Sequence, residues 1–356
     1  MDKIKLGVVG MRRGSHLAEI ALETRSDKVE LCVICDKNTE LLQRQKDMFE
    51  KKYGICNLRA TASFDELLNT DIDTVIIATD ATIHTPMAID ALKCGKHVIS
   101  EIPAIFTLEE ARMLKNATDA CPNQKYMFAE NCCFWYFINK WKEIYEQGML
   151  GEVWYAESEY LHSLGTPKNP DGTPHWRTSY DAIRYVTHNL GVLLYILGDK
   201  CVQASGFAPD INPVEGHTGT PNELGIFKTE KGALIKIFCA FGIERPLLHN
   251  FSLYGSKGTL ETDRSRMTGD GTLAAFGPMK DLKTMTKIPF SMQYPGCTIN
   301  DGHGGADAKM MEAFIDSLIQ DTNPPIDVDM AIAMSIPGIY AHMSKQQGGI
   351  PLDIVY

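Results

Sequence analysis

Ile4-Lys-Leu-Gly-Val-Val-Gly10-Met-Arg-Arg-Gly14 joins a short β-prone run to a glycine-punctuated turn. Residues 15–24 follow as a helix whose apolar set is Leu17, Ile20, Ala21 and Leu22. Glycine in such a turn lets the backbone approach a pyrophosphate, and the start of the next helix offers free N–H groups and positive potential. The stretch is an imperfect Gly-x-Gly-x-x-Gly: Arg12 stands where the second glycine belongs and Gly14 falls one place early. A tight turn with no ligand would use the same residues. Asp36 adds a second signal. It ends the strand Val29–Cys35, roughly 20 residues on, where an acid binds the adenosine ribose hydroxyls. Gly10, Met11, Arg12, Arg13, Gly14 and Asp36 are therefore candidate dinucleotide ligands. The carboxylate would repel the 2′-phosphate of NADP, so NAD is the expected cofactor, although Arg12, Arg13 and Lys37 offset part of that repulsion.

Outward from this turn, strands and helices alternate. Helix Thr39–Tyr53 is followed by a short helix through Leu68 capped by Ser63, then by the apolar strand 74–78. Helix 84–94, strand His97–Ser100, helix 107–120 with a Thr107 cap, and strand 125–129 complete the series. Such alternation implies a parallel sheet with right-handed crossovers. Later the period changes. Residues 152–162 alternate in period two, and 233–241, 247–254 and Gly258–Thr262 are further strands without long helices between them. That is the pattern of a mostly antiparallel sheet. Residues 182–197 and 309–319 read as helices, and the Gly/Pro-rich loops 165–174 and 209–221 are long enough for lids or binding loops. The expected fold is α/β. A doubly wound parallel (Rossmann) sheet occupies 1–125, and an α+β domain with an open, mostly antiparallel sheet occupies 126–356.

Composition agrees. At 356 residues the chain suits roughly two domains. A net charge of −10 disfavours nucleic acid and anionic membranes as partners. No apolar run approaches the ~20 residues of a membrane span, and no signal peptide opens the chain. The ten cysteines lie mostly in apolar stretches and read as reduced thiols, so the expected compartment is the cytoplasm. Cys32-x-x-Cys35 copies a redox or zinc spacing but sits inside a strand.

Thr79-Asp-Ala-Thr-Ile-His84, followed by Gly95-Lys-His-Val-Ile-Ser-Glu101-Ile-Pro103, resembles the glucose–fructose oxidoreductase / inositol dehydrogenase / MocA (Gfo/Idh/MocA) family. The resemblance implies a tightly held nicotinamide cofactor, sugar-like substrates and homo-oligomers, dimeric or tetrameric. It places Thr79, His84, Glu101 and Asn131 with the cofactor, although His84 alone would also serve as a helix cap. Where the family carries a catalytic lysine, this chain has Ile102, which can neither give nor take a proton. Glu130-Asn131-Cys132-Cys133-Phe134, Trp176-Arg177, Tyr185-Val-Thr-His188 and Gly302-His303-Gly-Gly-Ala-Asp307 are similar to the NAD-dependent α-N-acetylgalactosaminidases and glycoside 3-dehydrogenases. In those glycosidases a tyrosine does chemistry where Phe134 stands here.

Oxidising a ring carbinol needs a base for the hydroxyl proton and support for the developing alkoxide. With Ile102 silent, His188 is the candidate base, since an imidazole pKa of ~6.5 suits proton transfer near neutrality. Tyr185, Tyr160 and His162 are candidate partners, while Trp176, Arg177, His303 and Asp307 are candidate substrate contacts. Tyr160 and His162 could equally be two residues on one sheet face, Trp176 a packing residue, and Asp307 a helix cap. His162, His175, His188 and Glu159 share no metal-ligand spacing, so no metal is expected. The expected activity is NAD-dependent oxidation of a sugar or glycoside hydroxyl, at C3. The alternatives are a glycosidase working through a transient 3-keto intermediate, and an NAD(H)-binding sensor without turnover.

Overall fold

The computed structural model describes residues 3–169, 172–265, 270–299 and 302–356. Residues 170 and 171 of the 165–174 loop lie outside them. The described chain divides into two compact units, one built from 1–130 with 299–331 and the other from 131–298 with 332–356. Residues 299–331, which the sequence pattern groups with the second domain, thus return to the first unit.

In the first unit β1 (Ile4–Val9), α1 (Arg13–Arg25), β2 (Val29–Cys35), α2 (Thr39–Tyr53), β3 (Arg59–Thr61), α3 (Phe64–Leu68), β4 (Thr74–Ile77), α4 (His84–Lys93), β5 (His97–Ser100), α5 (Leu108–Ala120) and β6 (Tyr126–Phe128) alternate. The six strands are parallel, in the order β3-β2-β1-β4-β5-β6. Helices on both faces bury the central strands, so Val75, Ile76 and Ile77 are fully enclosed and the sequence reads as a continuous apolar run. Chain direction across the sheet reverses between β1 and β4, and ligands of such sheets bind beyond the strand ends at that point. Asn38, Ser63 and Thr107 cap α2, α3 and α5 with their side chains, whereas α1 starts with no side-chain cap and no acidic residue in its first turn.

In the second unit the helices are α6 (Tyr136–Glu146) and α7 (Leu190–Leu197). The strands are β7 (Val153–Leu161), β8 (Cys201–Phe207), β9 (Asn222–Thr229), β10 (Leu234–Ala240), β11 (Leu248–Gly255), β12 (Gly258–Thr262), β13 (Asp270–Phe276) and β14 (Thr286–Ser291). After α8 (Ala306–Gln320) of the first unit, α9 (Val328–Gln346) and β15 (Leu352–Asp353) close the chain. The nine strands form one sheet, β14-β13-β12-β11-β7-β10-β9-β8-β15, antiparallel except at the β7–β10 pair. Residues 182–197 do not form the single helix their periodicity suggests. A 3₁₀ segment, Ala182–His188, ends at Asn189 (φ −132°, ψ −67°), whose side chain accepts from the Leu190 N–H and so starts α7 afresh. The break leaves His188 at a corner.

Candidate active site

The glycine turn of the first unit is built around Gly10. Its φ is +93°, and a Cβ there would sit 2.2 Å from the Ala78 carbonyl oxygen just past β4. Only glycine allows this approach. The Gly10 N–H donates to Cys35 O, tying the turn to the end of β2. Asp36 accepts from Met11 N–H at 2.7 Å and from Asn38 N–H at 2.8 Å. A carboxylate has about four acceptor positions, so these two bonds leave it able to take ribose hydroxyls. With the uncapped start of α1 and exposed Arg12 beside it, the turn, the helix N-terminus and the acid fit a dinucleotide.

The other expected cofactor residues are placed differently. Arg13 is drawn into a carboxylate clamp. Its Nε donates to Glu101 Oε1 at 2.7 Å, and Nη1 and Nη2 donate to Asp307 at 2.6 and 2.7 Å. Burial opposes the Arg13 charge, but the two carboxylates outweigh it and hold the guanidinium ionised. Asp307 opens α8 with no exposed surface. Burial alone would raise its pKa, yet hydrogen bonds from His16, His303 and Arg13 hold the carboxyl well below the usual range. Asp307 therefore anchors α1 to α8, and its burial rules out the sugar contact expected of it. His303 leans on Asp307 at 2.9 Å, likewise in the first unit. His84 is buried, with Nδ1 3.2 Å from Pro103 O and Nε2 3.2 Å from Thr79 O, so it bridges the loops that follow β4 and β5. Burial pushes its pKa down. Thr79 is half-buried, and its hydroxyl contacts Asp80 O and Met87 Sδ. Asn131 opens the second unit and is 7% exposed.

The second unit gathers the expected catalytic residues. Strand alternation puts Tyr160 and His162 on one face of β7, and the Tyr160 hydroxyl lies 2.9 Å from His162 Nδ1. The corner at Asn189 brings His188 to the same place. Its ring stands edge-on to Tyr160 (5.3 Å between centroids) and to Tyr185 (5.2 Å). Tyr185 stacks on Tyr160, and its hydroxyl accepts from Arg177 Nη2 at 3.2 Å. Arg177 lies over the Trp176 ring at 4.5 Å. Burial holds the Tyr160 phenol well above its usual pKa. Burial, helped by Arg177 and His188, lowers that of His162.

Two members of this cluster carry no role in the sequence reading. Cys132 Sγ sits 3.2 Å from His188 Nδ1. His249 of β11 packs against Tyr160 at 4.6 Å, because the two are direct cross-strand partners. Cys132 belongs to a motif, but nothing local ties it to His188; His249, between Leu248 and Asn250, has no sequence signal. Phe134 is buried near Tyr195. The set His162, His175, His188 and Glu159 does not converge. Glu159 faces the other side of β7 and pairs with Arg264, and His175 caps the 176–178 turn.

Comparison with known proteins agrees with both units. Residues 4–128 match the oxidoreductase family with an NAD-binding Rossmann fold (Gfo/Idh/MocA), and residues 222–355 match the C-terminal domain of glycosyl hydrolase 109. A glycosyl hydrolase family 109 protein of Solibacter usitatus is 25% identical over 98% of this chain and 86% of its own length. An α-N-acetylgalactosaminidase of Bacteroides fragilis is 36% identical over 136 residues, 36% of this chain and 32% of that protein. Among solved structures, the WlbA dehydrogenase of Bordetella pertussis, crystallised with NADH and UDP-GlcNAcA, superposes with a TM-score of 0.77. Its identity is 19%, covering 100% of this chain and 99% of that one, so it speaks for the fold. The chain is thus similar over residues 4–128 to the NAD-binding Rossmann domain of the Gfo/Idh/MocA oxidoreductases and over residues 222–355 to the C-terminal domain of glycosyl hydrolase 109.

Proposed function

We propose that this protein is an NAD-dependent enzyme acting on a ring hydroxyl, at C3, of a sugar or glycoside, with His188 as the base. The observation that carries the reading is the His188 cluster: an imidazole braced by Cys132, Tyr160 and Tyr185, on a chain with an NAD-binding domain. NAD, held by the Gly10 turn, the start of α1, Arg12 and Asp36, supplies the two-electron acceptor for oxidation of a carbinol. His188 takes the hydroxyl proton, as Ile102 cannot. The Tyr160–His162 pair lies within reach to share it. Arg177, spread over Trp176 and bonded to Tyr185, presents guanidinium donors to sugar oxygens, and the Trp176 ring offers an apolar face to a pyranose. Mixing the protein with a panel of sugars and glycosides while following reduced-nicotinamide absorbance tests this reading. Formation of NADH, bound or released, is expected. No cofactor signal with any member sinks it.

The glycosyl hydrolase 109 domain and the glycosidase names of the relatives favour a second reading. In it, oxidation at C3 acidifies the C2 proton, the anomeric group is eliminated, water adds and the sugar is reduced again. Cleavage with C2 deuterium exchange from solvent and no net NADH would support it; retention of the C2 proton during cleavage excludes it. Phe134, in place of a tyrosine, weighs toward the dehydrogenase.

We place the enzyme in the cytoplasm as a homo-oligomer. Among the described residues no cysteine forms a disulfide, and no helix is long and apolar enough to cross a membrane. Leu234, Tyr155 and Tyr254 stand in register across β10, β7 and β11 and are only partly covered, an apolar row suited to a second copy.

A further inference from the structure

We propose that Asp181, Glu223 and His342 form a binding site for a divalent transition metal, with Zn²⁺ as the best match. The site is separate from the His188 cluster and does not depend on the proposed activity. Its three residues come from three elements of the second unit: the residue before the 3₁₀ segment, β9 and α9.

The ligand atoms face one another. His342 Nδ1 lies 3.5 Å from Asp181 Oδ2 and 3.7 Å from Glu223 Oε1, and all three atoms fall within 4.8 Å of one another. These separations are too long for hydrogen bonds. They suit ligands sharing one ion, because metal–N and metal–O bonds of about 2.0–2.2 Å in a tetrahedron put ligand atoms roughly 3.4 Å apart.

The second observation is a pair of unsatisfied atoms. Glu223 is 1% exposed, and its Oε1 makes no hydrogen bond; His342 Nδ1 is also buried without one. Leaving such atoms unpaired is costly, and both point to the same spot. The remaining atoms are committed in ways that hold the ligands still. Glu223 Oε2 accepts from Ile183 N–H at 2.8 Å, and Asp181 Oδ1 from Thr220 N–H at 3.0 Å. His342 Nε2 lies 2.9 Å from the Gln346 amide nitrogen; with that amide turned so that its oxygen faces the ring, it accepts from Nε2–H and leaves Nδ1 for the metal.

Two cations stand nearby: Lys345 Nζ is 3.5 Å from Glu223 Oε1, and Arg184 Nη1 is 4.0 Å from Asp181 Oδ2. Lys345 is already bonded to Thr220 Oγ1 at 2.8 Å. In the metal-free site the charges of Lys345 and Arg184 offset the two carboxylates, so a dication enters as Lys345 turns away from Glu223 Oε1 toward Thr220. One imidazole with two carboxylates is a borderline donor set, which favours Zn²⁺ over Mg²⁺. Asp181 and His342 keep a small exposed surface, which gives the ion a way in and water a place as fourth ligand.

The test uses the untagged full-length protein, stripped with chelator and titrated with ZnCl₂, with MgCl₂ in parallel. Metal content is read by mass spectrometry and Tm by calorimetry. One Zn²⁺ per chain and a Tm that climbs with ZnCl₂ but not MgCl₂ are expected. His342→Gln and Glu223→Gln should each weaken Zn²⁺ binding at least tenfold. Glu223→Gln keeps an oxygen for Ile183 N–H, so that variant separates ligand loss from misfolding. A wild-type Tm that ignores ZnCl₂ overturns the site, leaving His342 as a charged partner of the two acids. So does a Zn²⁺ response of equal strength in both variants, which would put the metal on the cysteines.

Discussion

His188 reaches its place through one backbone break and one sulfur contact. The imidazole is half-buried, with the Cys132 thiol 3.2 Å from Nδ1 and two tyrosine rings edge-on to it. A group that moves the substrate proton contributes on the order of 10²–10⁴-fold to rate. His188→Ala should therefore cut kcat by about that factor while NAD affinity, read by fluorescence titration, stays unchanged; kcat within a few fold of wild type would mean another group is the base. In the proposed reaction Cys132 would act one step back, by orienting the ring through its contact with Nδ1. Small misplacements of a reacting group cost up to about 100-fold. Cys132→Ala should thus lower kcat and displace the pH–rate profile, while Cys132→Ser, which keeps a hydrogen-bonding atom, restores most of both. Equal behaviour of the two variants would assign the thiol to packing alone.

At the level of elements, the first unit is nearly transparent to sequence. β1, β2, α2 and β5 have the expected ends, because buried strands are short apolar runs and Gly54, in a left-handed conformation, stops α2. The second unit is less legible, for identifiable reasons. Residues 182–197 keep an unbroken apolar pattern, so only the Asn189 side chain, bonding to the next N–H and to Cys239 Sγ, reveals the break. α9 carries Pro337 in its interior, which masks a helix in any pattern search. The site behaves in the same way. Tyr160 and His162 are legible because they stand two apart on a strand, while His249 joins them only through the β7–β11 register. Asp307 misleads because its partner, Arg13, is remote in sequence. The best-read element gives the firmest prediction. Gly10→Ala pushes a Cβ into the Ala78 carbonyl at a φ of +93°. Such overpacking costs about 1–3 kcal/mol and displaces the turn. NADH titration should show at least a tenfold loss of affinity, with the urea midpoint lowered; normal affinity would mean the turn does not touch the cofactor.

For the molecule as a whole, the first unit is not a continuous stretch of chain. α8 comes back to lie along α1, where Arg13 meets Asp307 and Arg25 meets Glu312 and Asp316; Phe128 N–H donates to Ile326 O beyond the helix. Cutting near residue 130 removes all of these partners and uncovers the face of α1 that packs on α8. A 1–130 fragment should unfold without a cooperative transition in urea, and the same fragment linked to 299–331 should regain one; cooperative unfolding of 1–130 alone, at the same midpoint, would refute the return of α8 as a folding requirement. Asp307 gives this a pH dependence. An aspartate in the unfolded chain titrates near ~3.9, and the folded carboxyl is held well below that, with burial opposing the shift and the hydrogen bonds from His16, His303 and Arg13 outweighing it. A depressed carboxyl stabilises the fold fully above about pH 4 and loses that contribution as the pH falls toward the folded value. Asp307→Asn takes the charge from a buried pair, so at pH 7 the full chain should lose about 3 kcal/mol. Measured by urea unfolding from pH 7 downward, the gap between wild type and variant should hold to about pH 4 and then close, since protonation in the wild type does what the substitution does. A gap that stays constant down to pH 3 would show that Asp307→Asn harms the fold by shape, and that the Arg13 clamp contributes no charge-dependent stability.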